Sequence, residues 1–429
     1  MRTFLFIWFG QLISLIGSGL TSFALGVWLY QTTGSSVQFS LMYVCAELPY
    51  IILAPFGGAI ADRWNRRWLI IFSDSISAVC TLSIALLMWQ DWLQIWHLYL
   101  AVAVSSGCKG FQQPAYYTTP TLFVSPKHFG RANGMIQLAQ GAGQLLSPIL
   151  AGILVDIIKI YGVILIDFIS FIVALLTLLT IPFPSVSSSQ YIQHSQTSLL
   201  DNIVEGWNYI KARPGLLTLL IFFFITDFTI GLVQVLITPM VLSFANAKVL
   251  GQIFSIGGSG WLFGAVLMST WGGFKRKVNA VLCFEFILGL SILVAGMQPS
   301  AILITVAAFF AFFSVPIIIS SHNSIWQVKV DPKVQGRVFA LRGAIAWAAF
   351  PLAYLLAGPL ADYVFQPLLL PDGLLANSIG LLIGVGPGRG IGLLFNLVGI
   401  FVMLATIVAY NYPYIRRVED DLPDFVKPV

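Results

Sequence analysis

The stretch GGAIADRWNRRW, Gly57–Trp68, decides how the rest of the chain is read. One aspartate and three arginines (Asp62, Arg63, Arg66 and Arg67) fall within six residues. On either side lie long apolar runs, one from about residue 39 to 60 and one from 68 to 89. A helix needs about 20 mostly apolar residues to cross a hydrocarbon core about 30 Å thick. Both flanks have that length, so the charged stretch reads as a short turn at a membrane surface joining two spans.

Composition extends the reading to the whole chain. Of 429 residues, 58% are hydrophobic and 9% are charged, with a mean hydropathy of +0.89. A soluble domain has about 25% charged residues, enough to cover its surface. A large soluble enzyme is therefore excluded, and a polytopic, all-α integral membrane protein is expected. Apolar runs at roughly 4–30, 39–60, 68–89, 95–118, 133–157, 161–181, 215–242, 249–271, 279–297, 300–322, 336–364 and 390–412 predict twelve spans. The first is too long for a signal-peptide core and reads as a span. Cys45, Cys80, Cys108 and Cys283 lie inside these runs without metal-ligand spacing, and His97, His128, His194 and His322 form no cluster, so no metal is expected.

Lysine and arginine set the orientation. With the N-terminus inside, 18 of the 22 fall in inside segments and only Lys159, Lys248 and Arg389 fall outside. The positive-inside rule then predicts both termini in the cytoplasm and a multi-pass protein of the cell membrane. The net charge of +5 is an orientation signal and gives no reason to expect a nucleic-acid partner.

The chain also repeats itself. Residues 124–156 and 330–362 align without a gap at an offset of 206, with 12 of 33 positions identical, among them Lys127/Lys333, Gly130/Gly336, Arg131/Arg337 and Asp156/Asp362. A weaker echo of the opening stretch stands at GGFKRK, Gly272–Lys277. Two parallel six-helix halves follow, at 1–183 and 214–412, joined by a linker at 184–213 and followed by a tail at 413–429. Within the linker, Leu199, Leu200, Ile203, Val204, Trp207 and Ile210 recur at helical spacing. They predict an amphipathic helix that lies on the membrane surface or packs on protein. The four tail acids, Glu419, Asp420, Asp421 and Asp424, read as a solvated end without a role.

With these features in place, GGAIADRWNRR resembles the loop 2–3 motif of the major facilitator superfamily. Gly58 matches the family glycine, Asp62 the acid, and Arg63, Arg66 and Arg67 the basic positions, with Trp64-Asn65 replacing the usual residues between them. The resemblance covers the whole chain and implies the major facilitator fold, twelve helices in two six-helix parallel repeats, with substrate held near the midplane. It also implies a cytoplasmic latch. Asp62 would dock at the N-terminus of helix eleven, a placement of about 0.3–1 kcal/mol. Asp74 on helix three would accept Arg66 or Arg67. Helix five, QGAGQLLSPILAG, resembles the helix-five motif of drug–proton antiporters through Gly141, Gly143, Pro148 and Gly152. The segments GQLISLIGSGLTSFALGVWLY, EGWNYIKARPGL and GPGRGIGLLF resemble the macrolide-efflux and enterobactin-exporter branch.

A charge inside a bilayer costs several kcal/mol unless paired or wetted, so it is a functional candidate by default. Glu47, Lys109, Asp167, Asp227 and Glu285 qualify. Lys109, followed by Gln112 and Gln113, stands near the helix-four arginine that the resemblance links to proton coupling, and needs an acid such as Glu47 or Asp227. Pro49 places a kink beside Glu47. Asp167 reads as structural near the outer interface, and Glu285 as an acid that snorkels or pairs with the nearby basic loop.

The glycine run GVGPGRG follows no strand, and no GxxxxGK[ST] loop is present, so a nucleotide cofactor is not expected and an ion gradient must supply energy. The chain is expected to be no enzyme but a monomeric secondary transporter. It would export an amphipathic small molecule (a macrolide, siderophore or peptide natural product) by proton antiport through alternating access. Its partners would be that substrate, protons and membrane lipid. Glu47, Lys109, Gln112 and Asp227 are the expected coupling and cavity residues. A lipid or lysophospholipid transporter on the same fold is the alternative, and a non-transporting receptor or scaffold is a rival of another class.

Overall fold

A computed structural model describes residues 2–117, 119, 123–124, 129–181, 199–271, 274–331 and 334–425. The polar linker residues 184–198 lie outside the described residues. The long helices are α1 (Arg2–Thr33), α2 (Ser36–Arg63), α3 (Arg66–Trp89), α4 (Ile95–Tyr117), α5 (Phe129–Thr180), α6 (Leu199–Lys211), α7 (Pro214–Leu242), α8 (Ala247–Trp271), α9 (Lys277–Met297), α10 (Ala301–Lys329), α11 (Gln335–Pro359) and α12 (Arg389–Asn411). No strand occurs among the described residues.

Ten of the described helices are long and apolar enough to span a bilayer. The count reaches twelve for two physical reasons. The backbone of α5 breaks at Lys159, whose φ of 59° and ψ of 179° turn the chain, so α5 is two spanning arms. And α4 is long enough to span but carries Ser105, Ser106, Lys109, Gln112 and Gln113, which lower its hydropathy. Polar residues at helix ends set several boundaries. Ser35 accepts from Gln38 N, Asn65 from Arg67 N and Ser300 from Leu303 N. Large apolar side chains such as Phe72, Val79 and Ile302 face outward, as lipid contact requires.

Met1–His194 with Asn246–Gln252 forms one compact unit, and Ser195–Ala245 with Ile253–Val429 forms a second. In the first, α1 packs along both arms of α5, and α2 along α4. The α2–α4 crossing depends on Gly57 and Gly110. A Cβ at Gly57 would collide with the Gly110 carbonyl, and one at Gly110 would stand 3.1 Å from Ala54 N. Small residues let membrane helices approach this closely, where dispersion replaces the hydrophobic effect as the driving force. In the second unit, α9 lies between α10 and α12, and α7 packs on α11.

The loop before α12 uses Gly384, Gly386 and Gly388 at φ 93°, 121° and 74°, so the GVGPGRG glycines serve backbone turns. Arg389 is buried and donates to Gly296 O (2.7 Å) and Met297 O (3.2 Å), capping the end of α9.

The amphipathic helix α6 rests one face on protein. Ile210 is fully buried, Tyr209 Oη accepts from Asp331 N (3.0 Å), and Arg337 pairs with Glu205. Val204 and Trp207, from the same apolar stripe, remain exposed.

The tail departs from the solvated end read in the sequence. Glu419 accepts from the backbone N–H groups of Lys277 (3.1 Å) and Val278 (2.9 Å), capping α9. Asp420 pairs with Arg276 at 2.8 Å and Asp424 with the buried Lys329 at 2.6 Å. Lys329 also donates to Leu422 O (2.6 Å) and to Glu419 O. Sequence could not show this, because the partners are free helix ends far away in the chain.

Candidate functional site: two polar centres inside the helical units

In the first unit the site begins at Pro49, which has no N–H to give to Cys45 O, within a helix that runs on to Arg63. Ser106 of α4 lies against this turn, and its hydroxyl donates to Ala46 O (2.6 Å) and accepts from Tyr50 N (3.1 Å). Glu47 sits within the same turn. Lys109 lies one helical turn beyond Ser106, and its charge acts on Glu47 and on Asp167. Among the described residues neither acid is in ion-pair contact with Lys109. Tyr50 donates to Gln113 at 2.7 Å across the same helix pair.

Asp167 is deeper than the sequence reading put it. It is buried and accepts from Ser18 Oγ (3.2 Å), a residue at the middle of α1. Asp74 also differs from expectation. It is buried and accepts from Gln11 (3.2 Å) and Gln112, so Gln112 belongs to a carboxylate–amide network instead of the Lys109 group. Arg67 donates to Leu178 O (2.9 Å) and Leu179 O (2.7 Å), closing the C-terminal carbonyls of α5 instead of pairing with Asp74. Gly58, Asp62 and Arg63 belong to the last turns of α2, and their side chains lie outside what the structure describes. Arg66 begins α3.

The helix-five residues serve close packing. Gly143 faces Leu15 of α1, where a Cβ would stand 3.1 Å from it, and Ser147 donates to Ile16 O at 3.1 Å. A Cβ at Gly152 would stand 2.9 Å from Ala247 O, and Pro148 O faces Gly251. Gly141 has open space beside it.

The second unit holds a centre that sequence reading only half identified. Asp227 on α7 is acted on by the charge of Arg342 on α11, within its own unit. Arg342 lies inside α11, donates to Asn323 Oδ1 (2.7 Å) and lies 5.5 Å and 5.3 Å from the ring centres of Trp326 and Phe339. His322 stacks on Phe223 at 3.5 Å and accepts from Trp326 Nε1 at 2.7 Å. Glu285 does not snorkel. It is 1% exposed, and the charge that acts on it is that of Asp227. In the same unit an apolar groove of about 560 Å³ is lined by Phe224, Phe228, Leu352, Leu356, Leu397 and Phe401, the last four of them exposed. The spacing His322–Trp326 and the depth of Arg342 in an apolar run were visible in sequence; which helix faces they share was not.

Twelve spanning helices with acid–base groups held inside apolar bundles define a polytopic membrane transporter. The Major Facilitator Superfamily model matches residues 7–354, and the chain belongs to that family. It is similar to macrolide efflux protein A of Streptococcus pyogenes, 25% identical over 362 residues, covering 83% of this chain and 89% of that protein. It is also similar to the multidrug efflux pump Tap of Mycolicibacterium fortuitum, 24% identical over 369 residues, covering 83% and 89%. Among solved structures, a mutant of nucleoside transporter NupG shares the fold with a TM-score of 0.75 at 13% identity, covering 95% of this chain and 99% of that one.

Proposed function

We propose that the protein exports an amphipathic small molecule across the cell membrane by proton antiport, through alternating access of its two halves, at 1–183 and 214–412. The observation that carries this reading is the placement of one acid–base set inside each unit: Glu47 and Asp167 with Lys109, and Asp227 with Arg342. Charges in such surroundings are costly to keep unless a proton or substrate exchanges with them. The two efflux relatives support export, and the 18-to-3 lysine and arginine bias supports cytoplasmic termini. Asp62, Arg63, Arg66 and Arg67 are the proposed latch at the cytoplasmic ends of α2 and α3. Asp74 and Gln112 hold helices α3 and α4 together behind it.

The test uses everted membrane vesicles with a respiration-driven pH gradient reported by a quenched acridine dye. Macrolides, siderophores, cyclic peptides, cationic dyes and lysolipids are added in turn. Dequenching by one class, absent in Asp227→Asn, is the expected result. Silence across the panel from folded, inserted protein overturns proton antiport. The apolar groove beside Phe224, Phe228 and Phe401 favours a second reading, a lipid transporter, for which lysolipid would move without a pH gradient.

A further inference from the structure

The connection from α11 to α12 has no part in the proposed transport cycle. It runs over residues 360–388, whereas α9 and α10 are joined by residues 298–300 alone. Connections longer than about 12–15 residues are uncommon in compact domains and usually carry a function. Between Tyr363 and Gly388 its one charged residue is Asp372. The segment is nonetheless folded. Leu369 and Ile383 are buried together with Leu393 of α12, and Phe365, Leu368 and Leu375 pack against them. Gln366 Nε2 donates to Gly386 O (3.0 Å), Gly386 N to Leu369 O (2.9 Å) and Leu375 N to Leu368 O (3.0 Å). Gly390 admits the backbone of Gln366 where a Cβ would collide with it.

Three leucines stay outside this small core. Leu374, Leu381 and Leu382 are 89%, 80% and 79% exposed, and no large apolar side chain among the described residues is more exposed than the first two. Left in water, such surface is unfavourable in proportion to its apolar area. Helix length sets where it lies. At about 1.5 Å per residue, the 25 residues of α11 and the 23 of α12 run roughly 35 Å each. A hydrocarbon core is about 30 Å thick, so both helices cross it whole and the segment between them starts at its edge. The lipid-facing surface leads into that segment. Leu352 and Leu356 of α11 and Leu397 of α12 face outward, and Tyr363 and Val364, at the start of the connection, are also exposed. Backbone bonding fits the same place. Lipid offers no partner to a peptide group. The N–H groups of Leu381, Leu382, Ile383 and Gly384 are served within the segment, by the carbonyls of Ser378, Ile379 and Gly380.

We infer that residues 366–388 form an interfacial element that sets Leu374, Leu381 and Leu382 into the bilayer leaflet at the end of the unit opposite the C-terminal tail, the outer leaflet in the orientation proposed above. The partner is the acyl region just below the head groups. The segment carries no lysine or arginine, and Arg389 beside it is buried against α9, so the attachment is apolar and needs no anionic lipid. A second copy of the chain is the competing occupant. The spans on either side favour the bilayer, because they bring the leucines to the edge of the lipid in a single copy. This placement holds whatever the substrate is and whether or not protons are exchanged.

The experiment is spin labelling of the full-length protein in phosphatidylcholine bilayers, with Cys45, Cys80, Cys108 and Cys283 replaced by alanine. Leu374→Cys, Leu381→Cys and Leu382→Cys carry a nitroxide one at a time. Its collisions with oxygen, which dissolves in acyl chains, are compared with its collisions with a water-soluble nickel chelate. Gln90→Cys, in the exposed turn after α3, is the aqueous reference, and Phe401→Cys, facing outward from α12, is the lipid reference. At all three leucine positions oxygen is expected to exceed the chelate, as at 401, and added phosphatidylglycerol should leave the ratio unchanged. Chelate exceeding oxygen, as at 90, would put the leucines in water and overturn the placement. Weak collisions with both, together with dipolar broadening between labels, would mean a second copy covers them and would overturn it too. The unmodified chain gives a check that needs no cysteine replacement. Phosphatidylcholine with a diazirine on its acyl chain near the head group is irradiated, and adducts are mapped by mass spectrometry. Adducts are expected in peptides covering 369–386 as well as on α11 and α12; adducts on the two helices with none in 369–386 would contradict the inference.

Discussion

Replacing Lys329 by methionine keeps the length of the side chain and removes its charge. In the wild type this ammonium is 4% exposed and serves Leu422 O, Glu419 O and Asp424. Hydrogen bonds from a charged donor contribute about 1.5–3 kcal/mol each. Asp424 is 46% exposed, so its ion pair counts for only about 0–1 kcal/mol. Methionine also escapes the cost of burying an ammonium, which favours the low end. Docking of the tail should weaken by about 3 kcal/mol. At 1.4 kcal/mol per tenfold, the tail would open roughly 100-fold more often. Arg276→Gln is the control. Arg276 and Asp420 are 55% and 52% exposed, so loss of that pair should change opening by no more than about fivefold. Hydrogen–deuterium exchange of peptides covering 412–425 reads both variants. Wild-type exchange in Lys329→Met, or equal loosening by Arg276→Gln, would refute the reasoning that burial separates these two ion pairs.

Other outcomes follow from the same geometry. Ser106→Ala removes the hydroxyl that bridges Ala46 O and Tyr50 N, and thermal unfolding should show a loss of about 1–2 kcal/mol. Unchanged stability would mean that the Ser106 hydroxyl adds nothing net to the α2–α4 contact. Gly57→Ala drives a methyl into the Gly110 carbonyl and should abolish recovery of monodisperse protein by size-exclusion chromatography, whereas Gly141→Ala, facing open space, should behave as wild type. Lys109→Ala is expected to abolish gradient-driven transport while the protein remains folded; transport at the wild-type rate would remove Lys109 from the mechanism.

Much of the architecture was legible because a bilayer imposes one simple rule on sequence, apolar runs of spanning length. Even the polar α4 was found, since Lys109, Gln112 and Gln113 interrupt a run still long enough to span. The repeat between 124–156 and 330–362 came from identity alone. The centres were less legible because the spanning helices are apolar around most of their circumference, so periodicity does not say which neighbour a charge meets. Asp227 is legible as a charge inside a span, whereas nothing in the periodicity says that Arg342 of α11 acts on it. Glu285 reads in sequence as an acid that snorkels or pairs with the basic loop, yet it is buried on α9, which lies between α10 and α12. Asp74 was matched to arginine, when two glutamines from α1 and α4 reach it first. The tail acids looked idle because their partners, Arg276, Lys329 and the free amides of α9, are distant in the chain.

The central claim is that a proton and the substrate exchange through the acid–base centres inside the two units. Asparagine at position 227 mimics a permanently protonated aspartate next to Arg342. The most direct measurement compares, in vesicles holding Asp227→Asn, pH-driven substrate accumulation with substrate-for-substrate exchange in the absence of a gradient. Exchange near the wild-type rate with accumulation lost is the result this account predicts. Accumulation at the wild-type level in Asp227→Asn would contradict it.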